Sequence, residues 1–71
     1  MVFSMRLKEL RKSRKLNQVD LGKIAGITSK QIQRYESGES EPTLSVLVRL
    51  SDYFDVSLDY LCGRSDVRER R

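Results

Sequence analysis

Apolar residues near the start of the chain fall at helical spacing. Phe3, Leu7 and Leu10 stand at i, i+4 and i+7, and the long side chain of Arg14 continues the stripe at i+11. This predicts a first helix over residues 3–15. Leu21, Ile24 and Ala25 form the core face of a second helix over 18–25. Asn17 caps it, because its side chain can accept from the free amides of the first turn, and Asp20 takes the place of Glu in a capping box. Gly26 stops it in the left-handed conformation. Thr28 opens a third helix, over about 28–37, with Gln31 completing a T-x-x-Q capping box, and Gly38 ends it. The inward side of this helix is thin: Ile32 and Tyr35, joined by Ile27 just before the cap. Its polar side is long, with Thr28, Ser29, Lys30, Gln31, Gln33 and Arg34. The stretch GESEP is a turn. Thr43 caps a fourth helix over 44–54 with Leu44, Leu47, Leu50, Ser51 and Phe54 as its inner stripe. Ser57 caps a short fifth helix over 58–62, stopped by Gly63.

No run of Val, Ile and Thr alternates with polar residues, so no strand is expected. The predicted fold class is all-α: a compact five-helix domain over residues 1–63, followed by a flexible tail over 64–71 with one apolar residue in eight. There are no internal repeats and no long linker, and the predicted loops are short.

Composition bounds the chemistry. A chain of 71 residues makes one domain, and one this short buries only about 60% of the surface its unfolded form exposes. There is no histidine, hence no imidazole base and no histidine metal ligand. The single cysteine, Cys62, makes neither a thiolate zinc site nor a disulfide framework, and it reads as a small semi-buried apolar residue. The glycines match no phosphate-binding loop. These absences argue against an enzyme, a metal and a small-molecule cofactor. No stretch reaches the roughly 18–20 apolar residues of a membrane span and the N-terminus has no signal-peptide core, so the expected location is cytoplasmic.

The net charge is +4, with a sequence pI near 9.6, and it is unevenly placed. Residues 1–38 carry nine basic groups against three acidic ones, net +6. Residues 39–63 carry one basic group against five acidic ones, net −4. Composition alone leaves open whether the basic half is a solvated surface or faces an anionic partner.

The second and third helices are joined by Gly26, Ile27 and Thr28, the turn length of a helix-turn-helix. Gly22 is small where the two helices cross, and Ile32 fills the angle between them. Ser29, Lys30, Gln33, Arg34 and Ser37 stand at i, i+1, i+4, i+5 and i+8 and so share one side of the third helix. Lys30 and Arg34 are cationic donors on that side, and Gln33 can both donate and accept.

The run LNQVDLGKIAGITSKQIQRYESG, residues 16–38, resembles the phage repressor/Cro-type (lambda repressor-like) helix-turn-helix family. EPTLSVLVRLSDYFDVSLDYLCG is similar to that family's fourth and fifth helices, and the likeness covers residues 3–63. The resemblance implies a five-helix domain that binds operator DNA, commonly as a homodimer, in a bacterial or phage-encoded regulator. Position by position, it implies base contacts by Ser29, Lys30 and Arg34, and flanking or phosphate contacts by Asn17, Gln18, Thr28, Gln33 and Ser37. It also implies a salt bridge between Arg11 and Glu36. Family members usually carry alanine where Gly22 stands, and Ser29 is shorter than the glutamine of some relatives. Glu39 and Glu41 replace basic residues that some relatives hold in the following loop.

Blander readings stand beside these. Lys30 and Arg34 can form a solvated face, Gln18 can be an ordinary helix-start residue, and Arg14, Lys15 and Lys23 can be solvated rather than near phosphate. Tyr53, Leu58 and Tyr60 fit either core or a dimer patch. Two functions are therefore expected: a DNA-binding regulator, most simply a repressor on a pseudo-palindromic operator, or an antitoxin-like or adaptor module that grips a protein. The acidic second half motivates the latter.

Overall fold

The computed structural model describes residues 2–69. Side chains open four of its helices. Asn17, Thr28, Thr43 and Ser57 each accept from the backbone amide three residues on, supplying a partner to an amide that no earlier turn can satisfy. At Asn17 the exchange is reciprocal: Oδ1 accepts from the Asp20 amide at 2.7 Å, and the Asp20 carboxylate accepts from the Asn17 amide at 3.2 Å. The expected box at Thr28 is only half made. Its hydroxyl accepts from the Gln31 amide at 3.1 Å, but the Gln31 side chain turns away and donates to the Ser40 hydroxyl at 3.1 Å.

The resulting helices are α1 Val2–Ser13, α2 Gln18–Ala25, α3 Ser29–Ser37, α4 Leu44–Phe54 and α5 Leu58–Cys62, with no strand among the described residues. All five close the same way. An amide beyond the helix reaches back to the carbonyl five residues earlier: Leu16 to Arg11, Ile27 to Gly22, Glu39 to Arg34, Val56 to Ser51 and Arg64 to Asp59, at 2.8–3.1 Å. Glycine takes the left-handed position in three of these closures. Lys15 (φ 56°) and Asp55 (φ 55°) take it in the others.

Each helix contributes to one core: Phe3, Leu7 and Leu10 from α1, Leu21 and Ala25 from α2, and Ile32 and Tyr35 from α3. Val46, Leu50 and Phe54 follow from α4, Val56 from the connection between α4 and α5, and Leu61 from α5. Phe3 and Tyr35 meet edge to face, with centroids 6.0 Å apart. α1 packs on α3 and α5, and α4 packs on α2 and α5.

Three further sequence expectations change. First, α1 ends at Ser13 because Lys15 already turns left-handed. Arg14 is exposed, its guanidinium lying 5.4 Å from the Tyr53 ring centroid and 5.7 Å from that of Phe54. Second, Leu44 is 70% exposed. Its angular position matches the inner stripe, but it is the first residue of α4 and lies beyond the end of the core. Val46 is buried in its place. Third, Cys62 is exposed.

The described part of the tail, residues 64–69, is not helical, yet it has polar attachments. The Ser57 amide donates to the Arg68 carbonyl at 2.9 Å, and the Ser57 hydroxyl to the Val67 carbonyl at 3.0 Å. Arg6 donates to the carbonyls of Tyr60 and Ser65 and pairs with Asp66 at 2.7 Å.

Two features hold the α2–α3 turn. A Cβ on Gly22 would stand 2.7 Å from the Ile27 carbonyl oxygen and 3.2 Å from the Ser29 amide nitrogen, so the helix and the turn are in near-contact there. Arg49, from α4, donates to the Ala25 carbonyl at 3.1 Å and occupies the space a side chain on Gly26 would need. It thus places a cation against the C-terminal carbonyls of α2, where the helix dipole is negative.

Gly22→Val should therefore cost about 2 kcal/mol or more, because the obstacle is backbone; urea unfolding checks this, and an unchanged midpoint would mean that the helices do not approach so closely. Arg49→Ala should cost about 1 kcal/mol in the same measurement.

Candidate nucleic-acid interface

Helix α3 divides cleanly. At about 100° per residue, Ser29, Lys30, Gln33, Arg34 and Ser37 cover an arc of about 140°. Lys30, Gln33, Arg34 and Ser37 are exposed, and Ser29 is half-buried at the helix start. Ile32 is 0% exposed and Tyr35 3% exposed on the other side. Among the described residues neither Lys30 nor Arg34 takes part in an ion pair. The arc therefore presents two cationic donors and three neutral polar side chains with little internal competition. Ser37 is the exception, since its hydroxyl donates back to the Arg34 carbonyl at 3.1 Å.

The flanking residues lie at two helix starts. Thr28 is the α3 cap and Asn17 the α2 cap, so the acceptor function of each is committed to its own helix. The donor groups of both side chains are outside those capping bonds. Gln18 is the first residue of α2, where unpaired amides and the positive end of the dipole favour an anion.

Glu36 is on the edge of α3 nearest α1, with a side chain only 5% exposed. Its Oε2 accepts from Arg11 Nε at 2.7 Å, and its Oε1 from Arg11 Nη2 at 3.0 Å. Arg11 Nη1 donates to the Leu16 carbonyl at 2.9 Å. The hydrogen bond to Glu36 is the main reason the Arg11 pKa lies above its ordinary value; the attraction of the carboxylate adds to it, and burial opposes it. A raised folded-state value contributes stability that is fully present at every pH below the ordinary arginine range and is lost only in stronger alkali. The arginine side of the pair therefore does not titrate near neutral pH.

A third contact was not legible in the sequence. Gln18 Nε2 donates to Glu36 Oε1 at 3.3 Å. The two residues are 18 positions apart on different helices, and no periodicity links them. Arg49 was also missed, although its being the lone basic residue of 39–63 was a signal.

Tyr53, Leu58 and Tyr60 have different surroundings. Tyr53 is half-buried against Phe54, with centroids 5.1 Å apart. The Tyr60 ring has the Arg6 guanidinium 4.1 Å and the Arg68 guanidinium 5.4 Å from its centroid. Leu58 lines an open cavity of about 320 Å³ with Val48, Val56, Val67 and Asp59, and neither tyrosine lines it. Among the described residues no group of three or more potential ligands could hold a metal ion, and no helix is long and apolar enough to cross a membrane.

A family model described as helix-turn-helix matches residues 7–61. The chain is 43% identical over 60 residues to YqaE, an uncharacterised HTH-type transcriptional regulator of Bacillus subtilis, covering 84% of this chain and 52% of that protein. It is 38% identical over 64 residues to RstR, the cryptic phage CTXphi transcriptional repressor of Vibrio cholerae, covering 90% of this chain and 57% of that protein. The chain thus spans about half the length of these curated relatives. The crystal structure of the P22 c2 repressor in complex with a synthetic operator superimposes with a TM-score of 0.85 at 32% identity, covering 92% of this chain and 98% of that one.

Arg11→Ala strands a nearly buried carboxylate and should cost about 3 kcal/mol in urea unfolding; replacing both partners, as Arg11→Met with Glu36→Leu, should recover part of that loss. A single variant as stable as the parent would show that the pair is not holding the helices.

Proposed function

The chain belongs to the helix-turn-helix family, and on that premise we propose that it is a sequence-specific DNA-binding transcriptional regulator, a repressor that binds a pseudo-palindromic operator as a homodimer. The observation that carries this reading is the exposed arc of α3. Five polar side chains, two of them cationic and without an ion pair among the described residues, share one side of a helix held by its other side. The P22 c2 repressor, whose fold this chain shares, is seen with an operator.

In this reading α3 enters the major groove. Ser29, Lys30 and Arg34 contact base edges, with Lys30 and Arg34 donating to guanine O6 and N7. Gln33, Thr28 and Ser37 reach the flanks. Gln18 and Asn17 hold phosphate at the start of α2, and Arg11 and Glu36 fix the pose of α3. Two protomers place their α3 helices in successive major grooves, about 34 Å apart. Repression follows from occlusion of a promoter, in the cytoplasm where the DNA lies. For the dimer contact we favour the surface around Leu58, which is 38% exposed near Val48 at 38% and Val67 at 39%; Tyr53 and Tyr60 are the aromatic candidates from the same half of the chain.

Selection from a genomic fragment library at moderate salt should enrich one sequence with two half-sites. Lys30→Ala and Arg34→Ala should each lower the preference for it over bulk DNA by roughly 5- to 150-fold. For the parent, log K should fall with log salt by about 0.9 per neutralised phosphate. No enrichment, or variants that select like the parent, would contradict the assignment. A salt-insensitive complex with a protein partner and no DNA shift would favour the antitoxin-like or adaptor alternative.

A further inference from the structure

The geometry points to Glu36 as a positioning residue that fixes the side-chain amide of Gln18, so that a defined N–H is offered to an operator phosphate. This deepens the DNA-binding reading above and rests on it. Gln18 begins α2, and its Nε2 lies 3.3 Å from Glu36 Oε1. A glutamine amide can usually be turned either way. Here the choice is decided by charge, because Oε1 placed against a carboxylate oxygen would repel it, whereas Nε2 donates to it. Nε2 carries two hydrogens. One is taken by Glu36, and the other remains for an acceptor.

A phosphate only accepts hydrogen bonds, so an amide free to flip would present the wrong atom part of the time. Fixing it beforehand removes an ordering cost from binding. The carboxylate can serve this purpose beside a polyanion because Arg11 compensates its charge. That guanidinium makes two contacts to Glu36, at 2.7 and 3.0 Å, and a third to the Leu16 carbonyl at 2.9 Å. The same carboxylate thus joins α1, α3 and the first residue of α2.

The test is a double-mutant cycle in operator affinity at one fixed salt, using the sequence that the parent selects. Gln18→Ala and Glu36→Gln should each weaken binding, by roughly 10-fold for the lost charged hydrogen bond. Gln18→Ala should cost less in the Glu36→Gln background than in the parent, by roughly threefold or better, since part of the Glu36 effect passes through Gln18 and the rest through the pose of α3. Losses that multiply would overturn the proposal and leave Glu36 as a clamp between α1 and α3, with the DNA-binding reading intact. A parent that selects no DNA would overturn both. A second readout uses the free protein and does not depend on binding. In nuclear magnetic resonance spectra the Gln18 side-chain NH₂ signals should differ from those of exposed Gln33, and Glu36→Gln should move the Gln18 NH₂ signals far more than those of Gln33. Gln18 signals that match those of Gln33 and ignore the substitution would overturn the positioning role even if every variant folds.

Discussion

Helix α3 has only two buried apolar side chains, Ile32 and Tyr35, and much of the molecule compensates for that. A helix that reserves most of its circumference for solvent or a ligand cannot be held by apolar area alone. The remaining restraint comes from close approach and from polar clamps. Gly22 lets α2 meet the turn before α3 at a separation that admits no Cβ. Arg49 reaches from α4 to the last carbonyl of α2. The paired charges of Arg11 and Glu36 tie the far edge of α3 to α1 at 2.7 Å. Each clamp acts on the pose of α3 rather than on the size of the core.

That arrangement explains a departure from the simplest expectation about salt bridges. Exposed pairs contribute only about 0–1 kcal/mol. The Arg11 and Glu36 side chains are 11% and 5% exposed, so the pair's value lies in what its loss would strand. Its function is geometric: it fixes one edge of α3 and, through Glu36, reaches the first residue of α2.

Most of the fold was legible because its signals are local. Asn17, Thr28, Thr43 and Ser57 mark helix starts, and Gly26, Gly38 and Gly63 mark ends, each through bonds within a few residues. Lys15 and Asp55 close their helices in the same geometry but carry side chains that give no such warning. Leu44 misled because periodicity gives the angle around a helix and not where the core ends along it. At the candidate interface, the arc from Ser29 to Ser37 could be read from spacing. The Gln18–Glu36 contact and the Arg49 clamp could not, since each joins residues brought together only by packing.

The polar arc of α3, with the start of α2, is proposed as the surface that meets DNA. Chemical-shift mapping tests it most directly, with a short duplex of the selected sequence titrated into the labelled protein. The largest changes are expected on Gln18, on Thr28 to Arg34 and on Ser37, exceeding any at the Leu58 surface, where only the contact between protomers would register. Changes centred on Val48, Leu58 and Val67, with α3 unmoved, would contradict the proposal.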